Sequence, residues 1–105
     1  MVYRVFITPD ANQNLRAQSA YIRRDSRAAA ERWLGRMRTA IKSLSQHPER
    51  CPMAPEALTF GQPLRELLCR TGNRGTYRVI FMVIDRAVYV LHVRHGSMLP
   101  LDPKD

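Results

Sequence analysis

Long apolar runs are missing from this 105-residue sequence: no stretch approaches 18 apolar residues, so we expect no membrane-spanning helix. The first ten residues, MVYRVFITPD, also lack the apolar run of a secretory signal. Only two cysteines occur, which is too few for a disulfide framework, and no histidine joins them at zinc-ligand spacing. Glycine-rich phosphate loops are absent as well. The sequence therefore predicts a cytoplasmic protein with reduced thiols and with no metal or other cofactor.

Lysine is scarce too, although the chain is strongly basic. Of its 17 basic residues 15 are arginine, and against nine acidic residues they give a net charge of +8. Such a charge indicates either an anionic partner (nucleic acid, a membrane surface or an acidic protein) or simply a well-solvated surface. Residues 1–50 hold ten basic and four acidic residues, whereas the rest hold seven and five, so the excess is concentrated in the first half.

The first half of the chain predicts a strand followed by two helices. Residues 2–8 (VYRVFIT) are β-branched and aromatic, as in a strand. Thr8-Pro9-Asp10 then offers a capping hydroxyl, a proline suited to the first helical position and an acidic first turn. Asp25-Ser26 interrupts this helix and offers new capping side chains, and a second helix is predicted over residues 27–46, ended by Pro48. Its apolar residues recur at spacings of three or four: Ala30, Trp33, Met37, Ile41 and Leu44.

The second half predicts a long loop and three strands. Residues 48–63 contain four prolines and show no periodicity, which is typical of a functional loop. Strands are predicted over residues 64–70, 76–84 and 87–95, the second of them central because both of its faces are apolar. Residues 98–105 are expected to form a tail. The prediction is one α+β domain over residues 1–105, of order β-α-α-β-β-β, with an antiparallel sheet and a helical hairpin packed on one face.

In this order and spacing, the chain resembles the RelE/ParE superfamily of toxins from type II toxin–antitoxin (plasmid stabilisation) modules. The residues that carry the resemblance run from Thr8-Pro9 through Leu15, Tyr21-Ile22 and the apolar face of the second helix. The most specific segments are residues 77–81 (YRVIF) and 90–96 (VLHVRHG). The resemblance implies a toxin held inactive by an antitoxin with an acidic, amphipathic tail. RelE-like members cut messenger RNA on the ribosome, whereas ParE-like members poison DNA gyrase without catalysis.

Metal-free RNA cleavage needs a base for the 2′-hydroxyl, an acid for the leaving 5′-oxygen and fixed positive charge on the phosphate. Glu56 is the candidate base, since Ala54-Pro55-Glu56 resembles the segment that carries a catalytic glutamate in some ribonuclease members. His95 is the candidate acid, because histidine exchanges protons near neutral pH. The candidate phosphate-binding residues are Arg65, Arg78 and Arg94. Arg78 is the strongest of these, because a charge in a central strand must be paired or used.

The register of the last two strands decides which candidate faces Arg78. A two-residue turn at Asp85-Arg86 would place Arg78 on the same side of the sheet as His95. A three-residue turn would place Arg78 opposite Arg94 instead.

Two departures from RelE bear on the mechanism. Neither of the two lysines matches the lysines on which RelE relies, and prolines prevent a C-terminal helix bearing a tyrosine. Those features resemble ParE, whereas Arg78, His95 and Glu56 together favour mRNA cleavage by a narrow margin. The expected partners are thus an antitoxin and either the ribosome with its mRNA or DNA gyrase. A third alternative is an inactive toxin that binds only its antitoxin.

Overall fold

The structure, a computed structural model that describes residues 2–103, contains a four-stranded sheet, two long helices and one short helix. Their bounds in chain order are β1 (Arg4–Ile7), α1 (Pro9–Arg23), α2 (Arg27–Lys42), α3 (Glu56–Phe60), β2 (Arg65–Arg70), β3 (Thr76–Ile84) and β4 (Ala87–His95). The predicted α+β fold with a helical hairpin is confirmed. None of the described helices is long and apolar enough to cross a membrane.

The helical hairpin begins where the capping residues predict. The Thr8 hydroxyl accepts a hydrogen bond from the Ala11 amide at 3.3 Å, and the Ser26 hydroxyl accepts one from the Ala29 amide at 3.1 Å. Along α2 the buried residues are those of the predicted apolar face: Ala30, Trp33, Met37 and Ile41. Burial of that face against the sheet forms the main core. The helix ends at Lys42, four residues earlier than expected, and continues as a 3₁₀ turn over Ser43–Ser45.

The sheet has the order β1-β4-β3-β2 and is mixed rather than wholly antiparallel. Tight connections make β2, β3 and β4 antiparallel neighbours, as predicted. β1 pairs with β4 in parallel. The helical hairpin and the long segment after it separate β1 from the other strands in the chain, so no tight turn forces β1 to run antiparallel. β3 is central, and its buried residues face both sides of the sheet.

The two faces of the sheet are covered differently. One face, the helix face, packs Tyr77, Val79, Phe81 and neighbouring side chains against α1 and α2. The other, which we call the open face, carries a smaller cluster in which Ile80 packs with Ala54 and Leu64. Residues 48–63, which were expected to form a loop, contain α3 and cover part of this face. The described part of the predicted tail, residues 98–103, has no helix or strand, yet Leu101 packs on the same cluster.

A β-bulge sets the register between β3 and β4. Ile84 pairs with Ala87 across a two-residue turn at Asp85-Arg86, so the shorter of the two turns considered is present. Farther along, Ile80 pairs with His92 while Phe81 pairs with Val90, which leaves Leu91 as an extra residue. Beyond this bulge each side chain of β4 points to the face opposite the one that simple alternation predicts.

Candidate functional site: an ion cluster on the open face

Arg78 lies in the middle of the sheet, where a charge is costly unless it is paired. Its cross-strand neighbours are Leu68 on β2 and Arg94 on β4, and only 7% of the residue is exposed. Because alternate residues of a strand share a face, Arg78 projects on the open face with Ile80. A guanidinium desolvated to this degree must donate its N–H groups to partners nearby.

Two carboxylates supply those partners. Arg78 donates from Nη1 to Glu56 Oε2 at 2.9 Å, from Nη2 to Glu56 Oε1 at 2.6 Å and from Nε to Glu66 Oε1 at 2.7 Å. The contact with Glu56 is the bidentate fork geometry of strong arginine–carboxylate pairs. We call Glu56, Glu66 and Arg78 the sheet-face ion cluster. One guanidinium against two carboxylates gives the cluster a net charge of −1.

Glu56 has no exposed surface and no unoccupied oxygen in this arrangement. Its Oε2 also accepts the backbone N–H of Leu101 at 2.9 Å. Burial by itself would raise the pKa of Glu56, but the hydrogen bonds from Arg78 and from the Leu101 amide outweigh it and lower the pKa to about 2. A carboxylate with so low a pKa, shielded from solvent, is a weak proton acceptor.

Arg94 lies beside the sheet-face ion cluster but is not part of it. It is the cross-strand neighbour of Arg78, and its Nη2 donates to the Leu99 carbonyl at 2.9 Å. This bond and the one from the Leu101 amide to Glu56 hold residues 98–101 across the open face. The site therefore includes a contact with the expected tail.

His95 lies on the helix face, on the other side of the sheet from Arg78. The bulge at Leu91 is the reason, since it pairs His95 with Tyr77. His95 Nε2 donates to the Arg74 carbonyl at 2.9 Å, while Nδ1 accepts the Ser97 amide at 3.1 Å and lies 2.7 Å from the Ser97 hydroxyl. Both ring nitrogens are thus engaged in fixing two turns. The expectation that Arg78 and His95 share a face is wrong.

Arg65 also leaves the sheet on the helix face, because it pairs with Phe81 at the edge. Its Nη1 donates to the carbonyls of Glu49 and Cys51, at 3.2 and 2.7 Å. These bonds fasten the segment after α2 to the start of β2. In this position Arg65 lies on the face of the sheet opposite Arg78.

The five predicted site residues therefore divide into groups. Glu56 and Arg78 touch, with Arg94 next to them, and Arg94 and His95 together line a cleft of about 330 Å³ beside α1. Neither Glu56 nor Arg78 lines that cleft. Their predicted roles in RNA cleavage remain predictions.

Glu66 is the member of the cluster that the sequence did not single out. It lies on β2 two residues before the cross-strand partner of Arg78, a diagonal position from which long side chains reach each other. An acidic residue in a strand that flanks a central arginine is the pattern that could have identified it. No group of three or more His, Cys, Asp or Glu side chains in residues 2–103 is placed to hold a metal ion.

Comparisons with known proteins agree with the resemblance. The family model described as the ParE toxin of the type II toxin–antitoxin system parDE matches residues 5–100. The structure is similar to a chromosomal ParDE toxin–antitoxin system from P. aeruginosa, with a TM-score of 0.69 and 19% identity over 90% of this chain and 96% of that one. It is also similar to a mutant of the E. coli toxin RelE in the free state, with a TM-score of 0.57 and 17% identity over 92% of this chain and 86% of that one. Comparison with curated protein sequences gave no significant match.

Because the family model spans most of the chain, the protein belongs to the ParE family and is the toxin of a type II toxin–antitoxin module. The two structural similarities, at under 20% identity, support the RelE/ParE-like fold.

Proposed function

We propose that this toxin inhibits DNA gyrase as a ParE-like binding protein and cleaves no RNA. The observation that carries the proposal is the closed state of the sheet-face ion cluster. RNA cleavage would need Glu56 to meet a 2′-hydroxyl, yet both of its oxygens are bonded and the residue is fully buried.

Charge supports the same conclusion. Each N–H-bearing nitrogen of Arg78 donates to a carboxylate, and the cluster is net negative. A phosphate in that place would face two carboxylates that already neutralise the guanidinium. The candidate acid His95 lies on the opposite face with both nitrogens bonded. A base and an acid on opposite faces of a sheet cannot act on one phosphodiester.

Two assays on one preparation distinguish gyrase inhibition from mRNA cleavage. Purified toxin is added to DNA gyrase with relaxed plasmid, and separately to ribosomes programmed with a defined mRNA whose 5′ ends are mapped. We expect loss of supercoiling and intact mRNA. New mRNA 5′ ends, with supercoiling unaffected, would overturn the proposal in favour of the RelE-like alternative, and inactivity in both assays would favour an inactive toxin that binds only its antitoxin.

The matched variant is His95→Gln, whose amide preserves a donor toward the Arg74 carbonyl. We expect it to inhibit gyrase within about twofold of the wild type, because in this proposal His95 transfers no proton. An mRNA-cleaving activity that disappears in His95→Gln would instead assign the acid role to this residue.

We also infer a partner antitoxin, as the toxin–antitoxin family and the ParDE structure suggest. A groove of about 580 Å³ along α1 and α2 fits the acidic, amphipathic tail expected of it. Its lining includes apolar side chains, among them Leu15 and Leu34, together with four arginines: Arg16, Arg23, Arg24 and Arg38. Apolar side chains of a partner helix would meet the apolar part of the lining and its carboxylates would meet the arginines. Co-purification with the product of an adjoining gene tests this inference.

A further inference from the structure

A second basic cavity lies where α2 meets the turn between β2 and β3. Its volume is about 460 Å³. The residues that matter for its chemistry are Arg32, Trp33, Arg36, Thr71, Asn73 and Arg74. We call this cavity the arginine pocket. It shares no lining residue with the α1–α2 groove or with the sheet-face ion cluster.

The turn that forms one wall is held rigidly. Both the amide and the hydroxyl of Thr71 donate to the Gly75 carbonyl, at 2.9 and 2.8 Å. Gly75 has φ +84°, and a Cβ there would lie 2.9 Å from His95 Nε2, so only glycine fits. His95 in turn bonds the Arg74 carbonyl. The histidine predicted as a catalytic acid thus positions the turn that carries Arg74.

The three guanidiniums of the pocket are not neutralised within the described part of the chain. Ion pairs in residues 2–103 join Arg27 to Glu31 and Arg78 to Glu56 and Glu66, and none includes Arg32, Arg36 or Arg74. No carboxylate lines the cavity either. Arg36 lies against the turn, since a Cβ on Gly72 would be 3.3 Å from its Nη1. The pocket therefore brings three positive charges together beside the polar backbone of the turn between β2 and β3.

We propose that the arginine pocket binds the phosphate monoester of a nucleotide, either free or at the 5′ end of a nucleic acid strand. A phosphate monoester carries a charge of about −1.5 to −2 at pH 7 and three acceptor oxygens, which suits several arginine forks approaching from different sides. A carboxylate offers one charge and two oxygens and would leave part of the site unmatched. The cavity lies within the roughly 300–1,000 Å³ typical of small-molecule sites and so has space for more than the phosphate alone. The Asn73 amide can bond a base edge there.

This proposal is independent of the choice between gyrase and mRNA as the target. It differs from the assignment of the α1–α2 groove, whose lining includes apolar side chains that suit a helix. The arginine pocket has a polar wall and suits a small, highly charged group.

Trp33 offers a built-in probe, because it is the only tryptophan in the chain and lines the pocket. It is 3% exposed, its ring lies 5.1 Å from that of Tyr77, and its indole N–H has no hydrogen-bond partner in residues 2–103. The full chain is titrated with thymidine monophosphate, thymidine, 5′-phosphorylated hexathymidylate, 5′-hydroxyl hexathymidylate and hexaglutamate while Trp33 fluorescence is recorded. Binding of the 3′-labelled, 5′-phosphorylated hexathymidylate is followed in parallel by anisotropy.

We expect saturable binding of thymidine monophosphate and of the 5′-phosphorylated hexathymidylate, weaker binding of the 5′-hydroxyl hexathymidylate and none of thymidine. Arg36→Gln and Arg74→Gln should each weaken binding about tenfold, since each removes one charge-assisted contact with the phosphate. Arg23→Gln is the matched control, because it makes the same charge change beside the α1–α2 groove, and it should alter binding less than twofold.

Three results would overturn the proposal. The first is an absence of binding by both fluorescence and anisotropy. The second is equal weakening by Arg23→Gln and Arg36→Gln, which would mean diffuse attraction to the whole basic surface. The third is hexaglutamate binding at least as tightly as the 5′-phosphorylated hexathymidylate, which would assign the pocket to an acidic protein.

Discussion

The arginines at two places in this toxin differ in whether they are paired with carboxylates. In the sheet-face ion cluster, Arg78 is 7% exposed and donates to two carboxylates. In the arginine pocket, Arg32, Arg36 and Arg74 line an open cavity and form no ion pair within the described residues. The position of an arginine in the fold therefore indicates its role better than its membership of a motif does.

The physical cause of the difference is desolvation. A guanidinium in a central strand loses its hydrating water when the chain folds. This loss is strongly destabilising unless carboxylates replace the hydrogen bonds to that water. A guanidinium on an exposed helix face keeps its hydration and can exchange it for a ligand. Arg78 lies in one of the two most specific segments of the family resemblance, yet its partners are internal. The pocket arginines are not among the residues that carry the resemblance.

The largest effect should follow from breaking the ion cluster. Arg78→Met leaves Glu56 buried without its cation, and we expect the free energy of unfolding to fall by about 3–5 kcal/mol. Urea unfolding with an osmolyte present, so that the variant is folded at the start, measures the loss. Arg36→Met is the matched control, expected to cost about 0.5 kcal/mol or less as an exposed substitution. Equal losses in the two variants would erase the distinction between the two regions.

The second largest effect is expected from acid, which should weaken the sheet-face ion cluster. Because the pKa of Glu56 is about 2 in the folded chain and near 4.5 otherwise, the unfolded chain binds more protons as the pH falls from about 5 to 2. The stability that this carboxylate contributes is complete above pH 5 and is lost progressively below it. Thermal unfolding at intervals between pH 7 and pH 2.5 should show this decline.

Glu56→Gln is the control for the acid effect, since it removes the titrating group and keeps its size. Its decline below pH 5 should be shallower than that of the wild type. A residual slope is expected, because a hydrogen bond from the Tyr3 hydroxyl also lowers the pKa of Glu49. Identical slopes in the two proteins would show that Glu56 does not titrate as its contacts imply.

The smallest effect should come from the arginine pocket in the absence of ligand. Arg36→Gln relieves repulsion among three like charges, so its stability should be unchanged or raised by a few tenths of a kcal/mol at low salt. Differential scanning calorimetry at low and high salt would detect this. A clear loss of stability would mean that Arg36 has a structural contact comparable to that of Arg78.

Local patterns predicted the helical part of the fold well. Thr8-Pro9 and Ser26 cap α1 and α2 as their side chains suggested, and the periodicity of α2 identified its buried face. α3 was not predicted, because it has only five residues and lies among the prolines of residues 48–63, which indicate a loop. The parallel pairing of β1 depends on contacts between the two ends of the chain, which no local pattern records.

Only part of the candidate site could be predicted from the sequence. Strand alternation gives the face of a residue only while the register is uniform, and the extra residue Leu91 reverses it for His95. The contact between Glu56 and Arg78 depends on how the prolines and α3 fold the segment back over the sheet. The sequence therefore indicated that Arg78 must be paired or used, and the structure identifies its partners as Glu56 and Glu66.

A double-mutant cycle on Glu56 and Arg78 tests the structural role of the ion cluster most directly. The free energy of unfolding is measured for the wild type, Glu56→Leu, Arg78→Met and the double variant. We expect the double variant to lose at least about 2 kcal/mol less than the two single losses combined, because neither charge is then left buried alone. Additive losses, or an Arg78→Met variant as stable as the wild type, would contradict a structural role for Arg78 and return it to the list of phosphate-binding residues.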